Sequence, residues 1–402
     1  MIFTIKRQLK IQRYYAILVA LLAMVPAIGG LPGWVASSIY ISYMLCVLYY
    51  CIYKNRIEIV PLFFLLYLPI SLYLSNPIPI FRSWERLMAF MLLFIVTSPL
   101  IQSVMVRNLR RQILKWILRF SVIIGIICFF CYFLDINLFE DDYRETYYDD
   151  YEEFIGHFSG ITRHSMLLGP ISSIATLYLI DEIKKHRRIL LFPLLVMTIG
   201  SMLFAASRLS IISTIAGVVI TLLIKYGARM RIVKYALITC VVATMLYPWT
   251  KQYIKPVINK HENVETGVYD TRTEKIEARF SEFKKSPIVG IGFASIDPDG
   301  QDDYDLVTGT IEPGSSWLAI LSMAGIVGMA LFIGIMVSCY YSVRFTDSFL
   351  LQSLLFFFIV HMMAEGYVFS SGNTIGFILW LVIGNCYDSR WDKENNDLLS
   401  DV

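Results

Sequence analysis

Long apolar runs, separated by short basic or polar connectors, dominate the chain. They lie at about 14–30, 34–52, 58–75, 86–106, 114–134, 164–181, 189–206, 209–224, 234–249, 316–341, 348–369 and 373–387. Most approach the roughly 17–25 residues that an α-helix needs to cross a hydrocarbon core, where no water can satisfy a stray backbone group. The pattern predicts an all-α polytopic membrane protein of about twelve transmembrane helices, with residues 1–402 forming a single membrane domain. Pro61 and Pro69 interrupt the third run. Two polar segments stand apart, an acidic one at 135–163 and a long one at 250–315.

Composition agrees with the pattern. Of the 402 residues, 56% are hydrophobic and 17% charged, more apolar surface than a soluble domain of this size could hide. A net charge of +3 does not argue for nucleic acid as a partner. The distribution of basic residues is more informative. With the N-terminus inside, 22 of the 35 Lys and Arg fall in inner segments, and most of the others lie in the long 250–315 loop. Both termini are then cytoplasmic, and the two polar segments are outer loops. The first apolar run follows basic residues as a signal peptide would, but many spans come after it without a clear cleavage site, so it reads as retained.

No inner loop is large enough to bind a nucleotide, and neither GxGxxG nor GxxxxGK[ST] occurs. All seven cysteines fall in or beside apolar runs. Cys128-x-x-Cys131 lacks a partner pair and reads as packing rather than as a metal or redox site. No metal site and no cofactor are expected.

The acidic loop, FEDDYRETYYDDYEEF, interleaves Tyr143, Tyr147, Tyr148 and Tyr151 with eight carboxylates. It reads first as a solvated charge run and second as a carbohydrate-facing surface. Arg163 and His164 follow where the chain re-enters the bilayer, as headgroup anchors or site residues. Arg208 sits in Ser207-Arg208-Leu209-Ser210 between two apolar runs with almost no loop. A permanently charged guanidinium there is costly unless it is paired or used.

The long outer loop has internal design. Thr271 and Glu274 form a T-x-x-E capping box and Pro287 is a stop signal, which predicts an amphipathic helix over 272–285. Arg272, Lys275 and Arg279 share one stripe of it. Ile276, Phe280 and Phe283 share the neighbouring stripe, expected to pack down on the membrane domain. IVGIGF at 288–293 is a turn whose glycines allow close backbone approach. Glu312-Pro313-Gly314-Ser315-Ser316 then opens a Gly-rich span, with Ser315 a credible N-cap. Glu312 is either a helix-terminus charge or a catalytic carboxylate. His361 and Glu365, four apart in a late run, read as a structural pair.

Together these pieces resemble the superfamily of bacterial O-antigen polymerases and O-antigen ligases. The resemblance rests on SRLS at 207–210, on TRTEKIEARFSEFKKSPIVGIGF at 271–293 and on EPGSSWLAILSMAGIVG at 312–328. It covers about residues 160–340 well. It implies a GT-C-like helical fold in the bacterial inner membrane and an active site on the outer, periplasmic face. It implies an undecaprenyl-diphosphate-linked oligosaccharide donor, the bilayer as surroundings and, as a further partner, a chain-length regulator. Carried over by position, Arg208 and Arg272 would hold the donor diphosphate, with Lys275 and Arg279 as further binding candidates and Arg163 and His164 as secondary ones. Glu312 stands where ligases of the family often have His, which favours a polymerase over a ligase. A flippase or transporter is the rival from another class, but no internal repeat supports it.

Overall fold

The computed structural model describes residues 2–29, 38, 41–46, 48–49, 56–139, 158–226, 271–297, 311, 314–344, 346 and 348–400, without the side chains of 2–10, 271–274 and 391–400. Within these residues the chain is helical. The helices are α1 (Ile2–Ile28), α2 (Ile59–Ser75), α3 (Ser83–Thr97), α4 (Val104–Phe133), α5 (Ser165–His186), α6 (Phe192–Phe204), α7 (Arg208–Tyr226), α8 (Thr271–Lys285), α9 (Ser316–Arg344), α10 (Phe349–His361) and α11 (Thr374–Ser400). Two short strands, β1 (Arg56–Ile57) and β2 (Ile101–Gln102), pair antiparallel.

Five described helices are long and apolar enough to cross a membrane: α1 over Ile11–Ile28, then α4, α5, α7 and α9. Ile59–Ser75, Ile189–Phe204 and Phe349–His361 are shorter apolar helical stretches. The expected span at 234–249 and most of that at 34–52 lie outside the described residues. Two expected boundaries are corrected. The run at 86–106 is not one helix: α3 ends at Thr97, and α4 starts after Ser103, whose side chain accepts from the Val106 N–H. Pro99, which has no N–H to continue a helix, lies in the intervening turn. The run at 348–369 yields a helix only to His361.

A fully buried Trp380 on α11 marks the centre of the core. Its ring meets Phe94 at 4.8 Å, Phe90 at 5.7 Å, Phe332 at 5.9 Å and Phe64 at 6.0 Å between centroids, which joins α2, α3, α9 and α11. Its indole N–H donates to the Val368 carbonyl at 2.9 Å, as a buried Trp requires.

The helix ends sort into two groups. At one, Gln12 Nε2 donates to the Met105 carbonyl (2.7 Å) and Tyr387 Oη to Glu58 Oε2 (2.8 Å). Arg110, fully buried, donates Nε to Asp388 Oδ2 (3.0 Å), Nη2 to Oδ1 (2.6 Å) and Nη1 to the Ser98 and Ile101 carbonyls (2.7 and 2.9 Å). At the other group, the Arg163 N–H donates to the Ala27 carbonyl (2.9 Å) and Thr374 Oγ1 to the Ala23 carbonyl (2.9 Å). The first group gathers segments that charge assigns to the inside. The second gathers those assigned to the outside.

Candidate functional site

The second group of ends carries the site, and a broken helix organises it. α9 is interrupted at Gly325, whose φ of 65° and ψ of −169° are open to glycine almost alone. The 287–292 turn threads into this break. The Ile291 N–H donates to the Ser322 carbonyl (2.9 Å), Gly292 N–H to Met323 (3.1 Å) and Ile326 N–H to Pro287 (2.9 Å). A Cβ on Gly290 would fall 2.4 Å from the Met323 carbonyl, so the close approach expected of this turn is realised against a helix backbone.

Hydroxyls on α2 complete the accounting. Tyr67, Ser71 and Ser75 recur every four residues and so line one face. Tyr67 Oη donates toward the Ala324 carbonyl at 2.9 Å, Ser71 Oγ to Val289 at 2.7 Å and Ser75 Oγ to Gly290 at 2.8 Å. Non-helical backbone within a membrane protein is tolerable where protein groups satisfy it, and here they do.

α8 leads into this turn. It runs from Thr271 to Lys285 and stops two residues before Pro287. Its orientation is the reverse of that expected. Of the predicted apolar stripe only Phe283 is half-buried; Ile276 is 42% and Phe280 43% exposed, whereas Arg279 and Glu282 are 2% and 0% exposed. The inward face is the charged one. Arg279 Nη2 pairs with Glu282 Oε1 at 2.9 Å, and the same oxygen accepts from the Asp297 N–H at 3.0 Å. Burial pushes the Glu282 carboxyl up to about 6, against the opposing pull of the Arg279 charge and the hydrogen bond from the Asp297 backbone. Lys285 pairs with Asp297. Lys275 lies along the turn before α9: a Cβ on Gly314 would meet the Lys275 Cβ at 3.1 Å.

The mouth of α9 is clasped to the turn after α10. Ser315 acts as N-cap, its Oγ accepting from the Leu318 N–H (3.4 Å), and also donates to the Met362 carbonyl (3.2 Å). Ser316 is a hub. Its N–H and Oγ both donate to the Glu365 carbonyl (2.9 and 2.6 Å), and its Oγ accepts from the Tyr367 and Val368 N–H groups (3.0 and 3.3 Å).

From this clasp a polar chain runs to Ser207, the residue before Arg208. Tyr367 Oη and His361 Nδ1 share a hydrogen bond of 3.0 Å, His361 Nε2 and Ser210 Oγ one of 3.4 Å, and Ser210 and Ser207 one of 2.8 Å. His361 is buried, with its ring stacked on Phe357. Because α10 ends at His361, Glu365 sits in the following turn and not one helical turn further along. Burial first, and then the Glu365 charge, push the Tyr367 phenol up. Sequence reasoning missed this chain, because the SRLS motif draws attention to Arg208 rather than to its serines and Tyr367 carries no motif by itself.

α5 brings the secondary candidates to the same place. A Cβ on Gly169 would lie 2.6 Å from Ser207 Cβ, so α5 and the start of α7 touch. His164 caps α5, its Nδ1 accepting from the Met166 N–H at 3.0 Å, and Arg163 is exposed beside it. Arg208, half-buried, opens α7. Arg163, His164 and Arg208 thus lie where α5 and α7 begin, Lys275 lies beside the turn before α9, and Arg279 is held in a buried pair on α8. Glu312 and most of the acidic 135–163 loop lie outside the described residues, and so does the side chain of Arg272. Among the described residues no cluster of three His, Cys, Asp or Glu could hold a metal ion.

Residues 193–333 match the family model described as O-Antigen ligase. The matched stretch contains α7, α8 and all but the first residue of α6 and reaches into α9, so it includes Arg208, the buried pair and the helix break. No curated protein matches the chain.

Proposed function

From the chain's place in the O-antigen ligase and polymerase superfamily, we propose that it polymerises surface polysaccharide from undecaprenyl-diphosphate-linked repeat units. The scaffold is GT-C-like and the site lies on the outer face of the inner membrane, with both chain termini cytoplasmic. The acceptor sugar hydroxyl attacks the anomeric carbon of the donor chain. The bond from that carbon to the diphosphate oxygen breaks, and the diphosphate departs with the electron pair. Glu312 takes the hydroxyl proton.

Arg208 and Arg272 hold the diphosphate. Arg presents a planar fork of donors that stays charged, which suits both binding the group and stabilising the charge that builds as it leaves. Lys275, a compact cation packed against Gly314, adds charge beside the α9 mouth. Arg163 and His164 are secondary contacts.

One observation carries the reading: a hydrogen-bonded chain joins the Arg208 turn to the turn that clasps the start of α9. Cation and helix mouth are therefore parts of one assembly. The description of the matched family supports the neighbouring reading, a ligase that moves a finished glycan to lipid A-core. A flippase is not supported.

Purified lipid-linked repeat units test the proposal. Arg208→Lys and Arg272→Lys each keep the charge and lose the fork, and should cost about 2.7–4 kcal/mol in the barrier. Glu312→Gln should lose roughly 10²–10⁴-fold in turnover while donor binding survives. Wild-type chain lengths from both Arg variants would refute the diphosphate assignment. Product that appears only when lipid A-core is supplied would turn the reading to the ligase.

A further inference from the structure

α8 meets the helix bundle through Arg279 and Glu282, so its apolar stripe faces something else. At about 100° per residue its side chains fall into distinct sectors. Arg279 and Glu282 occupy the buried one. Glu277, Ser281 and Lys284, all exposed, lie almost opposite. Exposed Ile276 and Phe280, with half-buried Phe283, lie to one side between the two. A helix that runs along a membrane surface against a protein wall has three such neighbours: protein, water and lipid.

The turn after α8 shows which neighbour the apolar sector meets. Pro287 and Ile288 are exposed, Ile288 by 66%. The Ile326 N–H donates to the Pro287 carbonyl at 2.9 Å, and the Val327 N–H to that of Ile288 at 3.5 Å. Ile326 heads an exposed stripe on α9, continued at helical spacing by Ile333, Val337 and Tyr341. α9 is long and apolar enough to cross a membrane, so this stripe is a lipid-facing one. On the other side of the turn, Tyr67 Oη donates to the Ile288 carbonyl at 3.2 Å, and the neighbouring face of α2 exposes Phe63, Leu66 and Ile70. The exposed end of the turn is therefore continuous with two membrane-facing stripes.

Depth agrees with this continuity. From Gly325 to Arg344 runs about 28 Å of helix, close to the ~30 Å thickness of a hydrocarbon core. Arg344 belongs to the segments that charge assigns to the inside. The break in α9, and the turn that fills it, then stand at the outer boundary of the core.

We propose that α8 and the turn after it form an interfacial element seated in the outer leaflet. Ile276, Phe280 and Ile288 lie among the acyl chains of bilayer phospholipids, and Glu277 and Ser281 face water. A protein seated on the same residues would also have to cover the lipid-facing stripes of α2 and α9. The leaflet thus supports the turn that threads the α9 break. It also sets α8 at the depth of the headgroups, where the phosphates of membrane lipids lie. The inference goes beyond the transferase reading and needs no turnover for its test.

Photo-crosslinking in intact cells provides that test. The photoreactive residue p-benzoylphenylalanine is placed at Ile276, Phe280 or Ile288, one position at a time, in the full chain. Glu277 and Ser281 are the water-facing comparisons, and Ile333 on the α9 stripe is the lipid-facing one. All six side chains are exposed, so the bulky ring is accommodated without disturbing the core. Cells are grown on radiolabelled phosphate and irradiated, and the protein is purified under denaturing conditions. Label should appear on the protein at 276, 280 and 288, as at 333, and be absent at 277 and 281. Mild alkali should then remove it, because ester hydrolysis frees the glycerol phosphate from a cross-linked acyl chain. Should one variant fail to accumulate, the other two carry the same comparison. Label at 333 but not at 276, 280 and 288 would overturn the proposal, and so would equal label at 277 and 281. A cross-link to a second protein chain at these positions would overturn it too. Label that survives alkali would identify a polyprenyl diphosphate, not phospholipid, as the occupant and refute the assignment. None of these outcomes touches the transferase reading, and a chain without transferase activity leaves the cross-linking result standing.

Discussion

Replacing Gly325 by Ala asks whether the break in α9 is built in or tolerated. Ala at φ 65° and ψ −169° sits in a region nearly exclusive to Gly, at a strain of about 1–3 kcal/mol. Its Cβ would also lie 2.2 Å from the Ile288 carbonyl oxygen and 2.8 Å from the Gly290 nitrogen, both backbone atoms that no rotamer change can move. The turn must then withdraw. That puts at risk the three bonds from Ile291, Gly292 and Ile326, each worth a net ~0.5–1.5 kcal/mol. Strain and lost bonds together come to roughly 3–7 kcal/mol, large against the 5–15 kcal/mol that holds a typical domain together. Gly334→Ala, nine residues along the same helix, is the control. Its Cβ would meet the side-chain atom Val60 Cγ1 at 3.3 Å, a contact that a shift of a few tenths of an ångström relieves, and Ala favours a helix interior by up to about 1 kcal/mol. Thermal unfolding of the two purified variants in one detergent should show Gly325→Ala falling well below wild type and Gly334→Ala level with it or above. Equal stabilities would mean that α9 can straighten, and the argument for a fixed break would fail.

Two further outcomes follow from buried charge. Arg110→Ala strands Asp388 in a buried site and should cost about 3–5 kcal/mol by unfolding in detergent, with Arg110→Lys recovering little, because a single ammonium cannot replace four directed bonds. The Glu282 carboxyl holds its proton in the folded protein up to about pH 6, above its ordinary 4.5, so its contribution to stability is greatest below the lower value and declines as pH rises through the upper one. Across that window the stability of wild type relative to Glu282→Gln should fall by up to about 2 kcal/mol, and a difference that does not change with pH refutes the assignment.

Much of the site was legible in the sequence because local chemistry dictated it. Pro287 ends α8, Ser315 caps α9, and Gly290 and Gly292 make the close approach their spacing suggests. The facing of α8 was misread for a physical reason. Assigning Ile276 and Phe280 to the interior assumes that the exterior is water. Around a membrane domain the exterior can be the more apolar side, and the interior here holds a paired Arg279 and Glu282 instead. The break at Gly325 was hidden because EPGSSWLAILSMAGIVG reads as a continuous apolar helix. Only the distant 287–292 turn, arriving in space, makes the break stable. Arg110 was counted merely as an inward positive charge, since nothing local signals Asp388, almost three hundred positions away.

The hydroxyls of Tyr67, Ser71 and Ser75 bear on how such a chain can vary. They lie more than a hundred residues before the stretch that defines the family match, yet they seat its central turn. The matched stretch is therefore not a cassette. Grafted into the scaffold of a relative whose second helix lacks these three groups, it would carry carbonyls that expect donors no longer there. Exchange between relatives, in the laboratory or by recombination, should succeed only when the early helix travels with the late one. Specificity in this chain would then be inherited in two pieces that must agree.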